Sequence, residues 1–223
     1  MEGIKINKDF VSDINFLLKY YIKEKGFTNF LKRFFIKLFE LLIKIRRFYV
    51  FEWNLSNPPL YIEPKIKIEF SQASFDNTDE IRELIQTISK KAIIKRFERG
   101  DITFIAKHNG KIIHQSYIMF GTPIIPDLDR KWYLAKNEAY WGGAFVHPKY
   151  RYKKIFSSMF YNVWKYLSQK KLGINKLFFL VEFGNKFLVN TYRSITNANI
   201  TRIIYYFRIL GLKFYHIKRL NFF

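Results

Sequence analysis

A chain of 223 residues that is 49% hydrophobic and 20% aromatic can bury one substantial core, which excludes a disordered tail and makes one domain plus an extension the expectation. The absence of cysteine excludes disulfide scaffolds, thiolate metal sites and cysteine nucleophiles, and agrees with a reducing, cytoplasmic setting. The net charge of +21 is uneven: residues 149–223 hold 15 Lys and Arg against one carboxylate, so an anionic ligand or surface would be drawn to that third of the chain, although a general lysine bias accounts for the same excess.

Residues 1–60 read as a helical extension. The opening MEGIKINKDF has no apolar run behind a basic start, so no secretory signal is expected. One helix is expected from Lys8 to Lys25, closed by Gly26, and a second from Thr28 or Asn29 toward Val50. In the second, Phe30, Phe34, Leu38, Leu41 and Ile45 recur at helical spacing, with Lys32, Arg33, Lys37, Lys44 and Arg47 between them. Those charges rule out a membrane span. The apolar stripe packs on its own domain or, over residues 29–48, lies on an anionic membrane face. Asn57-Pro58-Pro59 ends the extension, and residues 61–223 form the second domain.

In that domain Lys65 to Phe70 alternates as a half-buried strand does, and Asn77 or Thr78 caps a helix expected from Asp79 to about Phe97. Ile102–Lys107 and Ile112–Phe120 flank His108-Asn109-Gly110-Lys111, the pattern of a hairpin with an Asn-Gly turn. Residues 121–136, with Gly121, Pro123 and Pro126, read as a loop, and Asn137 to Val146 as a strand. From Lys153 to Lys170, Ile155, Phe156, Met159, Phe160, Val163, Trp164 and Leu167 make one helical stripe. Lys176–Phe183 is an apolar strand suited to a sheet centre, Lys186–Ile195 a short helix, and Ile200–Leu210 and Leu212–Arg219 two strands divided by Gly211. This mixture implies an α/β layer with a mixed sheet.

A strand that feeds directly into a helix presents unpaired N–H groups and the positive end of a helix dipole, a natural phosphate site. Here that junction is Val146-His147-Pro148-Lys149-Tyr150-Arg151-Tyr152-Lys153-Lys154-Ile155, with four cationic side chains around it. It resembles the V-x-P-x-Y-R-G-K-G-I stretch of the GCN5-related N-acetyltransferases (GNAT), matching at Val146, Pro148, Tyr150, Arg151, Lys153 and Ile155. Tyr152 and Lys154 stand where the family has its turn glycines, and Phe156 takes the final small position. Downstream, Asn185 and Tyr192 keep the spacing of the family's N-x-x-S/A-x-x-x-Y, while Leu188 replaces the small residue and Thr196-Asn197 the following Gly-Phe.

The resemblance implies a GNAT-like mixed, mostly antiparallel sheet flanked by helices, with the helical extension added at the N-terminal side. It also implies acetyl-CoA as co-substrate, held by Ala144, Phe145, Val146, Arg151, Tyr152, Lys153, Lys154, Ile155, Phe156 and Asn185. Tyr192 would protonate the departing thiolate, and a backbone N–H near Gly143 to Val146 would polarise the thioester carbonyl. Trp141-Gly142-Gly143 suits a bulge at that point. Glu138, the sole carboxylate between Arg130 and Glu182, is a candidate base acting through a water, or else a solvated strand end. His108 and His147 have no partner at metal-ligand spacing, so no metal is expected.

The activity so implied is acyl transfer to an amine of a small molecule or amino sugar. The alternative is an inactive GNAT-like module whose basic final third binds an anionic membrane or nucleic acid. No compact basic-aromatic motif supports nucleic acid, so none is expected as a partner.

Overall fold

The computed structural model describes residues 43–169 and 172–220, so the helix expected at Lys8–Lys25 and most of the one expected after it lie outside the described residues. In chain order the elements are β1 (Ile43–Asn54), β2 (Glu69–Gln72), α1 (Thr78–Leu84), α2 (Lys90–Glu98), β3 (Ile102–His108), β4 (Lys111–Met119), β5 (Ile124–Ile125) and β6 (Arg130–Lys131). They continue with β7 (Glu138–Val146), α3 (Ile155–Gln169), β8 (Lys176–Glu182), α4 (Lys186–Thr196), β9 (Asn199–Ile209) and β10 (Leu212–Arg219). The described residues divide into two compact units, a larger one with residues 47–204 and 217–220 and a smaller one with residues 43–46 and 205–216.

In the larger unit the strands run β1-β8-β7-β4-β3-β2. Each neighbouring pair is antiparallel except β7 with β8. Alternation along β3 sorts the core into two faces: Phe104 and Ala106 join one cluster, Ile105 the other. On the first face α3 buries Ile155, Met159, Phe160, Val163 and Leu167 against Phe51, Trp53, Trp141 and Phe179. On the second, Ile81 and Leu84 of α1 and Ile93 of α2 pack with Ile105 and Ile112. Each such side chain contributes roughly 1.5–3 kcal/mol when fully buried. The described part of the smaller unit includes the tip of the β9–β10 hairpin, where Tyr206 stacks on Tyr215 at 5.3 Å.

Several expected elements differ. The helix expected to reach Val50 is a strand from Ile43, so the basic helix 29–48 does not extend over residues 43–48. Phe48, Val50 and Trp53 are buried as β1 pairs with β8, Phe51 opposite Phe179. The strand expected from Lys65 begins at Glu69. The helix expected from Asp79 to Phe97 is two helices, because Ser89 caps a second one by accepting from the Ala92 N–H at 3.3 Å. Residues 121–136 carry the short pair β5–β6. The hairpin at Asn109-Gly110, the strand β7 and the helix α3 stand where the sequence puts them; Asn109 and Gly110 both have positive φ, 50° and 75°, as the two-residue turn demands.

Candidate active site

The parallel ladder between β7 and β8 holds at Glu138↔Lys176, Ala139↔Leu177 and Tyr140↔Phe178 and stops there. Beyond Tyr140, β7 stays registered with β4 while β8 stays registered with β1, so the two central strands part. A cavity of about 910 Å³ occupies the gap. Trp141 to Val146 line one wall, Leu180 and Asn185 the other, with the start of α3 and the Leu188, Thr191 and Tyr192 side of α4 completing it.

A bulge shapes the β7 wall. Gln115 faces Phe145 and Tyr117 faces Gly142, so Gly143 and Ala144 together oppose Ser116. Gly143 has φ +60°, and a Cβ there would run into the Tyr117 ring. The Arg96 guanidinium lies over that ring at 4.0 Å. The buried Gln115 amide donates to the Gly143 carbonyl and pins the bulge from behind. Backbone groups that a bulge removes from the ladder are free to meet a ligand.

At the end of β7 the chain turns through His147, whose Nδ1 accepts from the Lys149 N–H at 3.2 Å. Tyr152 and Lys154 follow with φ of +64° and +61°. These are the two positions where the resemblance expects glycine, and the backbone takes the left-handed conformation there on non-glycine residues. The loop is tied down by the Lys65 N–H, which donates to the Lys153 carbonyl at 2.9 Å. The Lys154 carbonyl then accepts from the Ser158 N–H at 3.0 Å and opens α3, whose first N–H groups have no partner within the helix. Arg151, Tyr152 and Lys154 line the cavity at this point, so cationic side chains and a helix N-terminus meet.

All the residues singled out from the sequence line this cavity except Glu138 and Lys153. Tyr192 is buried to 6% exposure, its ring 4.1 Å from Phe179 and 5.3 Å from Phe160, and burial raises its pKa so that the hydroxyl stays protonated. Asn185 caps α4, its Oδ1 accepting from the Leu188 N–H at 3.1 Å. Glu138 lies at the opposite end of β7, where its Oε2 accepts from the Ala135 N–H at 3.0 Å.

The residue that the sequence did not reveal is Asp127. It lies between β5 and β6, and it is the one carboxylate among the residues lining the cavity. Burial first, then the Asp127 charge, raises the pKa of the neighbouring Tyr140 hydroxyl; Asp127 acts the same way on Tyr117. Nothing in the pattern Pro126-Asp127-Leu128-Asp129 distinguishes it from an ordinary turn. Among the described residues no group of three His, Cys, Asp or Glu side chains is arranged to hold a metal ion, and no helix is long and apolar enough to cross a membrane.

No protein-family model and no curated protein sequence matches the chain. Solved structures do. A protein from Novosphingobium aromaticivorans assigned to the GNAT family of acetyltransferases superposes with a TM-score of 0.50 at 12% identity, over 74% of this chain and 65% of that one. A tandem GNAT protein from the clavulanic acid biosynthesis pathway gives 0.51 at 11% identity, over 68% of this chain and 49% of that one. A conserved protein of unknown function from Staphylococcus epidermidis gives 0.50 at 12% identity, over 96% and 80% of the two chains. These likenesses show the fold: the chain has a GNAT-like mixed, mostly antiparallel sheet flanked by helices, and its strand-to-helix loop holds left-handed turns on Tyr152 and Lys154.

Proposed function

We propose that the protein is an acyl-CoA-dependent N-acyltransferase, acetyl-CoA being the donor and an amine of a small molecule or amino sugar the acceptor. The observation that carries this reading is the continuous cavity that runs from the Arg151–Lys154 loop, past the Gly143 bulge, to Tyr192. A pyrophosphate, a thioester and a departing thiolate need an anion site, a carbonyl-polarising donor and an acid in that order, and the cavity offers each.

The loop fits the donor's pyrophosphate because its backbone keeps the left-handed turns that a glycine cradle would have. Arg151 and Lys154, with the first N–H groups of α3, hold the anion. Backbone N–H at the bulge, pinned by Gln115 and Tyr117, polarises the thioester carbonyl. Asp127 attracts the protonated acceptor and takes a proton from its nitrogen, directly or through a water. The new C–N bond forms as the C–S bond breaks, Tyr192 gives its hydroxyl proton to the thiolate, and the second proton on the new amide nitrogen leaves through water to restore the Tyr192 hydroxyl. Burial suits Tyr192 to that task, since it keeps the proton on the oxygen at neutral pH. Glu138, outside the cavity lining, has no part in this scheme.

Titration calorimetry with acetyl-CoA tests the donor half. Saturable binding, weakened by Arg151→Gln, is expected; no heat at millimolar acetyl-CoA or CoA ends the enzymatic reading. Asp127→Asn tests the acceptor half: donor binding should persist while turnover with a mixed pool of primary amines falls by roughly 10²-fold or more.

A further inference from the structure

From the β9–β10 hairpin we infer that its tip is a docking surface for an anionic lipid bilayer. The two strands are joined by Leu210-Gly211, with φ of +48° and +85°, the same two-residue turn that Asn109-Gly110 makes between β3 and β4. The earlier turn uses asparagine, which tolerates the left-handed region and water alike. Here a leucine takes that position at 71% exposure, unfavourable both for its backbone and for its solvation.

The residues beside it share the character. Ile209 and Leu212 flank the turn, and Phe214 lies two residues further along the same face of β10 as Leu212; all three are exposed. Ring contacts of Tyr206 with Tyr215 and Tyr205 with His216 agree with the register of a two-residue turn, which puts Ile209 and Leu212 together on that face. Among the described strands β10 has β9 as its sole neighbour. An apolar tip on an edge strand invites association.

Charge selects the associate. Arg208 and Lys213 lie on these two strands within two residues of the turn, and no Asp or Glu follows Glu182 in the sequence. Pairing with a second copy would bring two such cationic strands together, which like-charge repulsion opposes. Nucleic acid would satisfy the charge, but the apex of Ile209, Leu210 and Leu212 is aliphatic and Phe214 stands behind it, which gives no run of rings at the tip on which successive bases stack. A bilayer carrying anionic headgroups meets both requirements: leucines enter the headgroup boundary while Arg and Lys contact phosphates above it.

Co-sedimentation of the full chain with vesicles tests this, using pure phosphatidylcholine against an equimolar mixture with phosphatidylglycerol. The mixed vesicles should retain the protein at least about tenfold better, and the retention should weaken in high salt. Leu210→Asn with Leu212→Thr should reduce retention on the order of tenfold while folding normally, because Asn-Gly is the preferred pair for this turn and Thr a good strand former. Arg208→Gln with Lys213→Gln should remove the salt-sensitive part. The proposal is overturned by equal retention on both vesicles, by retention that neither variant alters, or by a concentration-dependent dimer or a DNA complex that the Leu210→Asn/Leu212→Thr variant abolishes without any change at the vesicle. Acetyl-CoA binding is read separately in the same variants and should be unchanged.

Discussion

The Tyr117 ring lies so close behind Gly143 that a methyl group on that glycine would enter it. Arg96 lies over the same ring at 4.0 Å, a contact that holds it in place. Gly143 also holds φ +60°, which an alanine occupies only with strain. Gly143→Ala should therefore cost about 2–4 kcal/mol, combining the backbone and packing penalties. In thermal unfolding that is a fall of roughly 5–10 °C for a chain of this size. Acetyl-CoA affinity should fall with it, since the bulge forms one wall of the cavity. In the double variant with Tyr117→Ala the loss should be smaller than the sum of the two single losses, because removing the ring removes the clash.

How far such features can be read in advance depends on how local they are. Asn109-Gly110 between apolar runs specifies its hairpin from adjacent residues, and the helical stripe from Ile155 to Leu167 likewise carries its own evidence. The strand β1 does not. Its buried residues Phe48, Val50, Phe51 and Trp53 follow directly on a helical repeat ending at Ile45, and it is made a strand by β8, whose Phe179 pairs with Phe51 from a distant part of the chain. In the site, the strand-to-helix loop and Tyr192 were legible because residue type and spacing both carry chemistry. Asp127 was not, since only the folding of residues 121–136 brings that turn carboxylate to the cavity. Glu138 shows the converse: its place at the end of β7 away from the splay is set by the pairing with β8 and not by its neighbours in sequence.

Tyr152 and Lys154 test whether the loop has kept a glycine backbone at the expense of stability. A non-glycine residue in the left-handed region costs about 1 kcal/mol or more, and Tyr152 is 87% exposed, so its side chain has little packing to lose. Tyr152→Gly should raise stability by up to about 1 kcal/mol and leave acetyl-CoA affinity unchanged. Lys154→Gly should gain similarly in stability but bind acetyl-CoA several-fold more weakly, with a shallower salt dependence, because a phosphate-facing cation is gone. Thermal shift and calorimetry at two salt concentrations separate the two effects. A fall in stability in both variants would show that these conformations carry no strain.

Tyr192→Phe removes one oxygen and leaves the ring against Phe51, Phe156, Phe160 and Phe179. Stability should change little, and KM for acetyl-CoA should hold. Turnover should fall by roughly 10²-fold or more if the hydroxyl is the acid that protonates the thiolate. The wild-type rate should show no alkaline limb from this group below about pH 10, because burial moves the titration of Tyr192 upward from the ordinary tyrosine value. A wild-type turnover in the Phe variant would leave Tyr192 as a packing residue alone.

His114 on β4 sets an acid limit on the fold. It is fully buried opposite Val146, beside Phe156 at 6.4 Å, and both ring nitrogens lack a hydrogen-bond partner among the described residues. Burial drives its pKa down to about 3 against a weaker upward pull from the Phe145 backbone. The unfolded chain, with an ordinary histidine near pH 6.5, therefore binds the proton that the folded chain refuses. The contribution of the neutral imidazole is fully present above about pH 6.5 and is lost as pH falls toward the folded value near 3. From about pH 6.5 downward the loss steepens, and between about pH 5.5 and pH 4.5 urea unfolding should lose about 1.4 kcal/mol per pH unit from this residue alone. In His114→Leu that component should vanish, so the variant gains on the wild type steadily as the solution is acidified; parallel stability curves for the two proteins would refute the assignment.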